Sequence, residues 1–195
     1  MYKIICLIGK SGSGKSTIEQ KLCSDLEINQ VVSHTTRPPR KEELDGLDYF
    51  FCTDDYFEEE RENFIEQRLY KVINKDGTKG IWRYGLHRNS IKEGLNVVVV
   101  DVNGYKALRK YFGKQNVLPF FIHCSDSTRL NRVLLRGDGS NKLEVMRRFA
   151  ADEEAFYDIE HNKDIYKICN EYSVDIAVNE IINILKRLGI VNETY

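Results

Sequence analysis

The chain has 195 residues, and its 29 lysine and arginine residues are balanced by 30 aspartate and glutamate residues, for a formal net charge of −1. This length fits one domain with a single core, and the balanced charge excludes a global field that would hold nucleic acid or a membrane. The five cysteines show no C-x-x-C pair, so we expect free thiols, a cytoplasmic protein, and no signal peptide or membrane span.

Strand-like and helix-like segments alternate along most of the chain. Residues 2–8 predict a strand, which a glycine-rich turn joins to a helix over 16–26. Residues 96–102 contain four consecutive valines, which is typical of a strand buried on both faces of a parallel sheet. Further strands are predicted at 117–124 and 166–169, and further helices at 126–136, 143–160 and 174–188. This alternation predicts a doubly wound α/β fold with a parallel central sheet.

Residues 34–88 differ in composition from the rest, being rich in Tyr, Phe, Arg and acidic residues. Asp55 followed by Glu58 indicates a capping box that opens a helix to about residue 68. Asp76-Gly77 between two polar-aromatic runs predicts the turn of a hairpin. We therefore expect one domain, 1–195, whose core (1–33 and 89–195) carries an inserted subdomain at 34–88 and ends in a loose tail at 191–195.

A phosphate-binding motif lies between the first strand and the first helix. It has the pattern G-x-x-x-x-G-K-[ST] and comprises Gly9, Lys10, Ser11, Gly12, Ser13, Gly14, Lys15 and Ser16, with Thr17 next to it. Such a loop points backbone N–H groups and a helix N-terminus at the phosphates of a nucleoside triphosphate. The lysine reaches the β/γ oxygens, and the Ser16 hydroxyl can ligate Mg²⁺. We expect ATP as the ligand.

A second anion site is indicated by the run from Ser33 to Arg40, which contains two arginines around two prolines. Because proline fixes φ, Arg37 and Arg40 lie on a stiff turn and can clamp a doubly charged phosphate. With Glu43 and the run Asp45-Gly46-Leu47-Asp48-Tyr49-Phe50-Phe51, this segment resembles the nucleotide-binding region of guanylate kinases. The phosphate loop precedes it at the family's spacing, and the resemblance extends over nearly the whole chain.

The resemblance implies a P-loop fold of three layers with an acceptor-binding insert and a lid, and a kinase that transfers the γ-phosphate of ATP to the 5′-phosphate of GMP or dGMP with Mg²⁺. It assigns the acceptor phosphate to Ser33, Arg37, Arg40, Tyr49 and Tyr84. A carboxylate accepts guanine N1–H and the exocyclic amine together, whereas adenine N1 is an acceptor. By this reasoning Glu66, which the resemblance places at a helix end, reads guanine, and Asp101 serves the base, the Mg²⁺ shell or both.

Two features depart from the family. A serine or threonine commonly follows the Tyr-Gly pair, whereas Leu86 and His87 follow Gly85 here, and the hairpin between Glu66 and Tyr84 is longer than usual. These departures leave open a kinase of another nucleoside monophosphate or small phosphorylated acceptor. A non-catalytic guanylate-kinase-like binding domain is the other alternative, against which an intact Lys15 and Ser16 argue.

The resemblance also implies a lid at 136–148 whose arginines cover the phosphates. We expect Arg136 and Arg148 to act there, with Arg132 and Arg147 as alternates, and Asn170 to lie beside the adenine of ATP. No general base is expected, because a nucleotide phosphate is already largely ionised at pH 7. The expected partners are the two nucleotides alone, without nucleic acid or membrane, and the chain is expected to be a monomer or homodimer.

Overall fold

The computed structural model describes residues 2–73, 77–135 and 142–192. In these residues the strands, in chain order, are β1 (Tyr2–Ile8), β2 (Asn29–Gln30), β3 (His34–Thr35), β4 (Phe50–Phe51), β5 (Phe64–Ile73), β6 (Lys79–His87), β7 (Gly94–Val99), β8 (Val117–His123) and β9 (Tyr166–Cys169). The α-helices are α1 (Lys15–Asp25), α2 (Asp54–Glu59), α3 (Val102–Phe112), α4 (Asp126–Leu135), α5 (Lys142–His161) and α6 (Val174–Arg187). No helix in the described ranges is both long and apolar enough to cross a membrane.

Five parallel strands form the central sheet in the order β2-β7-β1-β8-β9. Helices cover both faces, so both faces of each inner strand are apolar. On β1, Ile4 and Ile8 pack in the cluster that includes residues of α3 and α5, whereas Ile5 and Leu7 pack in the cluster that includes residues of α1 and α6. This arrangement confirms the predicted three-layer α/β fold with a parallel sheet.

The order of the strands places the functional loops together. β1 lies between β7 and β8, and the chain leaves β1 for α1 on one face of the sheet and β7 for α3 on the other. In open α/β sheets ligands bind beyond the carboxyl ends of strands at such a switch point. The loops that follow β1, β7 and β8 therefore meet at one edge, where the phosphate loop lies.

A second sheet, of order β4-β3-β6-β5, is built from residues 34–87. Its largest part is the hairpin β5–β6, whose antiparallel register runs from Phe64 opposite His87 to Ile73 opposite Lys79. Aromatic rings fill the space beneath it, and Phe57 stacks on Phe64 with ring centroids 4.8 Å apart. The predicted hairpin is confirmed, although Asp76 of its predicted turn lies outside the described residues.

The predicted helix over 55–68 is present only as far as Glu59, and the rest of that prediction is wrong. α2 begins one residue earlier, where the Thr53 side chain accepts a hydrogen bond from the Tyr56 N–H at 3.3 Å, and it ends at Glu59. From Phe64 the chain is a strand, because a nine-residue pairing partner is available in β6 and local helix propensity yields to that tertiary pairing. Glu66 therefore lies on a strand and not at the end of a helix.

The other predicted elements differ only at their ends, but α3 and the two-residue strands β2, β3 and β4 were not predicted. The strand expected over 96–102 ends at Val99, because Asp101 caps α3 by accepting a hydrogen bond from the Gly104 N–H at 2.9 Å. Arg136 and the rest of 136–141, the first part of the region expected to form the lid, lie outside the described residues.

Candidate active site

The phosphate loop curls between β1 and α1 without a side-chain cap on the helix. Gly12 and Gly14 have φ angles of 81° and 93°, which disfavour residues with a Cβ. A Cβ on Gly14 would also collide with the Asn170 side chain. The two glycines thus allow the tight backbone turn between β1 and α1.

Lys15 and Ser16 open α1 and line one small cavity with Ser11 and Arg148. The Lys15 ammonium donates to the carbonyl oxygens of Gly9 at 2.7 Å and Lys10 at 3.1 Å, so it lies across the loop. The Ser16 and Thr17 residues are exposed. An ammonium group and a hydroxyl group therefore both lie at the wall of this cavity.

Asn170 and Arg132 hold the phosphate loop through hydrogen bonds to its backbone. The buried Asn170 donates through Nδ2 to the Ser13 carbonyl at 2.8 Å, and Arg132 donates to the carbonyls of Asn170 at 2.9 Å and of Ser13 at 3.4 Å. Neither side chain reaches over the loop in this arrangement. Contact between Asn170 and adenine, and a catalytic role for Arg132, remain predictions.

Arg129, which sequence reasoning did not assign to the site, is the most buried charge beside the loop, with 1% of its surface exposed. It donates through Nε to the Ser11 carbonyl at 3.0 Å and pairs with Asp152 at 3.0 Å, while its guanidinium lies over the Phe149 ring. Asp152 in turn accepts a hydrogen bond from the Ser11 N–H at 2.6 Å. Helix α5 is thereby tied to the phosphate loop through paired charges.

The two arginines of the predicted phosphate clamp meet at Glu43. Arg37, which is 4% exposed, donates to one Glu43 oxygen at 2.8 Å, and Arg40 donates to Glu43 through its N–H at 2.8 Å and its guanidinium at 3.2 Å. Burial acts to raise the pKa of Glu43, but the hydrogen bonds and charges of the two arginines bring it below its usual value. A charged Glu43 thus holds both guanidinium groups side by side.

Aromatic rings complete the clamp. The Arg37 guanidinium lies 5.2 Å from the centroid of the Tyr49 ring, and the Tyr49 and Tyr84 rings meet edge to face at 5.9 Å. The Ser33 carbonyl accepts a hydrogen bond from the Phe50 N–H at 2.9 Å, which holds Ser33 next to the segment that carries Tyr49. A hydroxyl contact of Ser33 with a ligand stays a prediction.

Glu66 and Asp101 lie near each other, as the base-reading hypothesis requires, but a cation lies between them, and of the two carboxylates only Asp101 lines the cleft. The Arg68 Nη1 atom is 2.6 Å from the Asp101 Oδ1 atom and 3.9 Å from the Glu66 Oε1 atom. Burial raises the pKa of Glu66 to about 6, an effect that Arg68 opposes and Asp101 reinforces. Sequence reasoning missed Arg68, although its two-residue spacing from Glu66 puts both on one face once the segment is known to be a strand.

The predicted lid arginines differ in position. Arg147 and Arg148 both donate to the buried Glu144, at 2.8 and 2.7 Å, but Arg147 lies over the Tyr70 ring of the hairpin whereas Arg148 lines the cleft. Glu144 also accepts a hydrogen bond from the Ile73 N–H at 3.1 Å. One carboxylate therefore joins the beginning of α5 to the end of β5.

A cavity of about 600 Å³ lies between these elements. Its wall is formed by the phosphate loop, the two clamp arginines, one face of β5 and β6, and α5. The lining residues used below are Gly9, Lys15, Arg37, Arg40, Tyr49, Arg68, Tyr84, Asp101, Arg148 and Asp152. Within the described ranges, no cluster of three or more histidine, cysteine, aspartate or glutamate residues is arranged to hold a metal ion. A Mg²⁺ ion that keeps its waters and is held mainly by phosphates does not need such a cluster.

Comparison with known proteins gives a consistent set of relatives. The family model described as guanylate kinase matches residues 1–188. The guanylate kinase of Porphyromonas gingivalis is 32% identical over 80% of this chain and 84% of its own length, and that of Bacteroides thetaiotaomicron is 31% identical over 94% and 88%.

Solved structures agree at the level of the fold. The crystal structure of guanylate kinase from Anaplasma phagocytophilum matches with a TM-score of 0.65 at 24% identity, covering 98% of this chain and 88% of that chain. A gluconokinase from Sinorhizobium meliloti matches with a TM-score of 0.54 at 16% identity, covering 95% and 93%.

Proposed function

Because the chain belongs to the guanylate kinase family, we propose the roles that the residues of its cleft take in phosphoryl transfer. The protein is an ATP-dependent nucleoside monophosphate kinase that transfers the γ-phosphate of ATP to GMP, giving ADP and GDP. The relatives favour neither of the two alternatives left open by the sequence. Use of dGMP as a second acceptor is part of the proposal.

One observation carries the assignment of roles: a single cavity has the phosphate loop in one wall and the two clamp arginines in another. In-line transfer between two nucleotides requires that both phosphate groups be held in one space with their oxygens aligned. A protein that only bound a peptide or one nucleotide would not need both anion sites to face each other.

On the ATP side, the phosphate loop binds the triphosphate through its backbone N–H groups, and Lys15 moves from the Gly9 carbonyl to the β/γ oxygens. Arg129, Arg132 and Asn170 keep the loop in shape, since their hydrogen bonds run to its carbonyl oxygens. Arg148 approaches the transferred group from α5, and Arg136 is proposed to do so from the lid.

On the acceptor side, Arg37 and Arg40 bind the phosphate of GMP, with the hydroxyls of Tyr49 and Tyr84 and with Ser33 as additional donors. Guanidinium groups held by Glu43 are already oriented before the ligand arrives, which reduces the entropy lost on binding. Glu66 accepts the N1–H and amine protons of guanine. The pairing of Asp101 with Arg68 supports a role for Asp101 at the base end.

Mg²⁺ bound with ATP would neutralise charge on the phosphate oxygens. The Ser16 hydroxyl fits the ion from the protein side, since it opens α1 beside Lys15 in the same cavity. Asp101 stays the other proposed ligand, through water or directly, if its pair with Arg68 opens.

The reaction requires positive charge and correct alignment of the two phosphates, and it does not require a general base. The acceptor phosphate, with a second pKa of about 6, is largely a dianion at pH 7 and can attack as it stands. The obstacle is repulsion between two anionic groups, which Lys15 and the arginines offset when the cleft closes and water is excluded. Closure also limits hydrolysis of ATP.

We further propose that the protein works in the cytoplasm. All five cysteines are free thiols, and free thiols are typical of a reducing compartment. The oligomeric state is proposed to be a monomer or a homodimer.

The test is an ADP-release assay with ATP and Mg²⁺ against GMP, dGMP, AMP, CMP and UMP, with Lys15→Ala as the blank. We expect turnover with GMP, and with dGMP, that the variant abolishes. Turnover with AMP, CMP or UMP at a comparable kcat/KM would overturn the base assignment, and no turnover with any acceptor would overturn the proposal.

A further inference from the structure

Arg68 holds a position at the base end of the cleft that the roles above do not explain. Glu66, Arg68 and Tyr70 alternate with outward residues along β5, and Arg68 and Tyr70 line the cavity. The Arg68 guanidinium lies 5.5 Å from the centroid of the Tyr84 ring, across the ladder from it. Arg68 is thus held by a ring on one side and by Asp101 on the other.

The two carboxylates do not exhaust the hydrogen-bonding capacity of Arg68. Both ion-pair contacts are made by the same nitrogen, Nη1. A guanidinium has five N–H donors in a planar fork, so donors remain for a ligand that enters the cavity. A neutralising partner for Asp101 alone would not have to face the cavity.

The chemistry of guanine fits this arrangement. The amine and N1–H donors of guanine are followed around the ring by two acceptors, O6 and N7, and a guanidinium fork matches that acceptor pair. A site that reads the whole edge therefore needs a carboxylate and a guanidinium side by side. Glu66 and Arg68 are such neighbours, with Oε1 and Nη1 3.9 Å apart.

The residue across the ladder from Glu66 cannot supply the missing donor. Leu86 pairs with Glu66 in the register, is fully buried and packs with Val98 and Val100 in the core. An aliphatic side chain offers no hydrogen bond to O6. The donor for this edge of the base must come from another element.

We propose that Arg68 is a specificity-determining residue that donates hydrogen bonds to O6 and N7 of the guanine base, with Asp101 and the Tyr84 ring holding its guanidinium in place. This inference rests on the proposed function, because it names a reader of the same acceptor. It divides the base between two side chains: Glu66 reads the donor edge, and Arg68 reads the acceptor edge.

The first measurement needs no variant. The wild-type protein is assayed with GMP and with 7-deaza-GMP, in which a C–H group replaces N7. A hydrogen bond to a charged donor is worth about tenfold or more in binding, so we expect kcat/KM to be lower for 7-deaza-GMP by about that factor. Equal kcat/KM values for the two acceptors would overturn the proposal.

Variants of Arg68 then distinguish a hydrogen bond to the base from a role in which Arg68 only neutralises Asp101. In Arg68→Ala and Arg68→Lys we expect kcat/KM for GMP to fall by about tenfold or more while 7-deaza-GMP loses much less, so that the ratio between them approaches one. The ratio of GMP to IMP, which lacks the amine read by Glu66, should stay as in the wild type. A parallel loss for GMP and 7-deaza-GMP would mean that Arg68 only supports the fold, and would reject the inference.

Arg83→Ala is the matched control, because Arg83 lies opposite Leu69 on the same hairpin and pairs with Asp54 at 2.8 Å, outside the cavity. It should keep the wild-type ratio. Calorimetric measurement of the binding of both acceptors distinguishes failure of the Arg68 role from failure of the proposed function. Wild-type protein that phosphorylates GMP without discriminating against 7-deaza-GMP refutes the role of Arg68 alone, whereas protein that neither binds nor phosphorylates GMP refutes the proposed function and this inference together.

Discussion

The phosphate loop and the acceptor end of the cleft, which we propose to bind similar anions, are built by different means. In the loop, eight consecutive residues supply the site mainly through the backbone, and two glycines with positive φ shape it. At the acceptor end, side chains from separate segments supply it, with Glu43 orienting Arg37 and Asp101 holding Arg68. A site made of backbone tolerates little variation, whereas a site made of side chains can change its ligand by changing one residue.

This comparison predicts that variants of the loop stop the reaction for every acceptor, whereas variants of the acceptor end change which acceptor is used and how tightly. The following predictions run from the largest expected effect to the smallest.

Lys15→Ala should lower kcat by about a thousandfold or more, because it removes a charge that stabilises the transferred group. The measurement is steady-state ADP release together with calorimetric binding of GMP, whose Kd should stay within about threefold. Lys21→Ala, which removes a surface lysine paired with Asp25 on the same helix, is the control and should behave as the wild type. A Lys15→Ala protein with near-normal kcat would contradict the prediction that variants of the phosphate loop stop the reaction.

Arg148→Ala should lower kcat by a hundredfold or more with little change in KM, whereas Arg147→Ala should lower it only a few fold. The two arginines share Glu144, but only Arg148 lines the cleft, and an arginine that meets the transferred phosphoryl group acts on the transition state. Steady-state kinetics on this matched pair checks the assignment. Equal losses would show that both arginines act through Glu144 on the position of α5.

Arg37→Met should raise KM for GMP by roughly a hundredfold, because two hydrogen bonds to a doubly charged phosphate are lost. KM for ATP should stay within about threefold if the two anion sites are independent. Arg61→Met, an exposed arginine outside the cleft, serves as the control. Similar increases of KM for both nucleotides would contradict the separation of the two regions.

The pH dependence of GMP use should contain a contribution from Glu66. Since burial raises its pKa to about 6, Glu66 is protonated below that pH and no longer accepts both guanine protons. The GMP phosphate titrates in the same range, so the observable is kcat/KM of the wild type divided by that of Glu66→Gln. This ratio should fall by up to about tenfold per pH unit below pH 6, where Arg68 and Asp101 are the other charges that face Glu66. A constant ratio between pH 5 and 7 would exclude ionised Glu66 from base reading.

The effect of pH on the folding stability through Glu66 is opposite in sign to that of a carboxylate in an ion pair, whose pKa is lowered by folding. The folded protein holds the Glu66 proton more tightly than the unfolded chain, so ionising Glu66 above pH 6 costs folding free energy, and that cost is relieved as the pH falls below the folded pKa. The wild type should therefore gain stability relative to Glu66→Gln on acidification from pH 7 to pH 5, measured by thermal unfolding.

Sequence reasoning succeeded where the signal is local. The four-valine strand predicts a position buried on both faces, and the structure shows Val97 and Val98 fully buried between two layers of helix. It failed after Glu59, where a helix was expected to continue to about residue 68 but the long pairing of β5 with β6 produced a strand. Arg68 was overlooked for that reason: its relation to Glu66 exists only with the two-residue period of a strand.

The sequence by itself determined the phosphate loop, the alternation of strands and helices, and the pair of clamp arginines, because each depends on neighbouring residues and on intrinsic backbone preferences. Only the tertiary structure decided that Asp101 faces Arg68, that Asp152 reaches the Ser11 N–H and that Glu144 joins α5 to β5. These contacts join residues 33, 141 and 71 positions apart. They depend on how the sheet, the hairpin and α5 pack together, since charges distant in the chain meet only when the layers between them are in place.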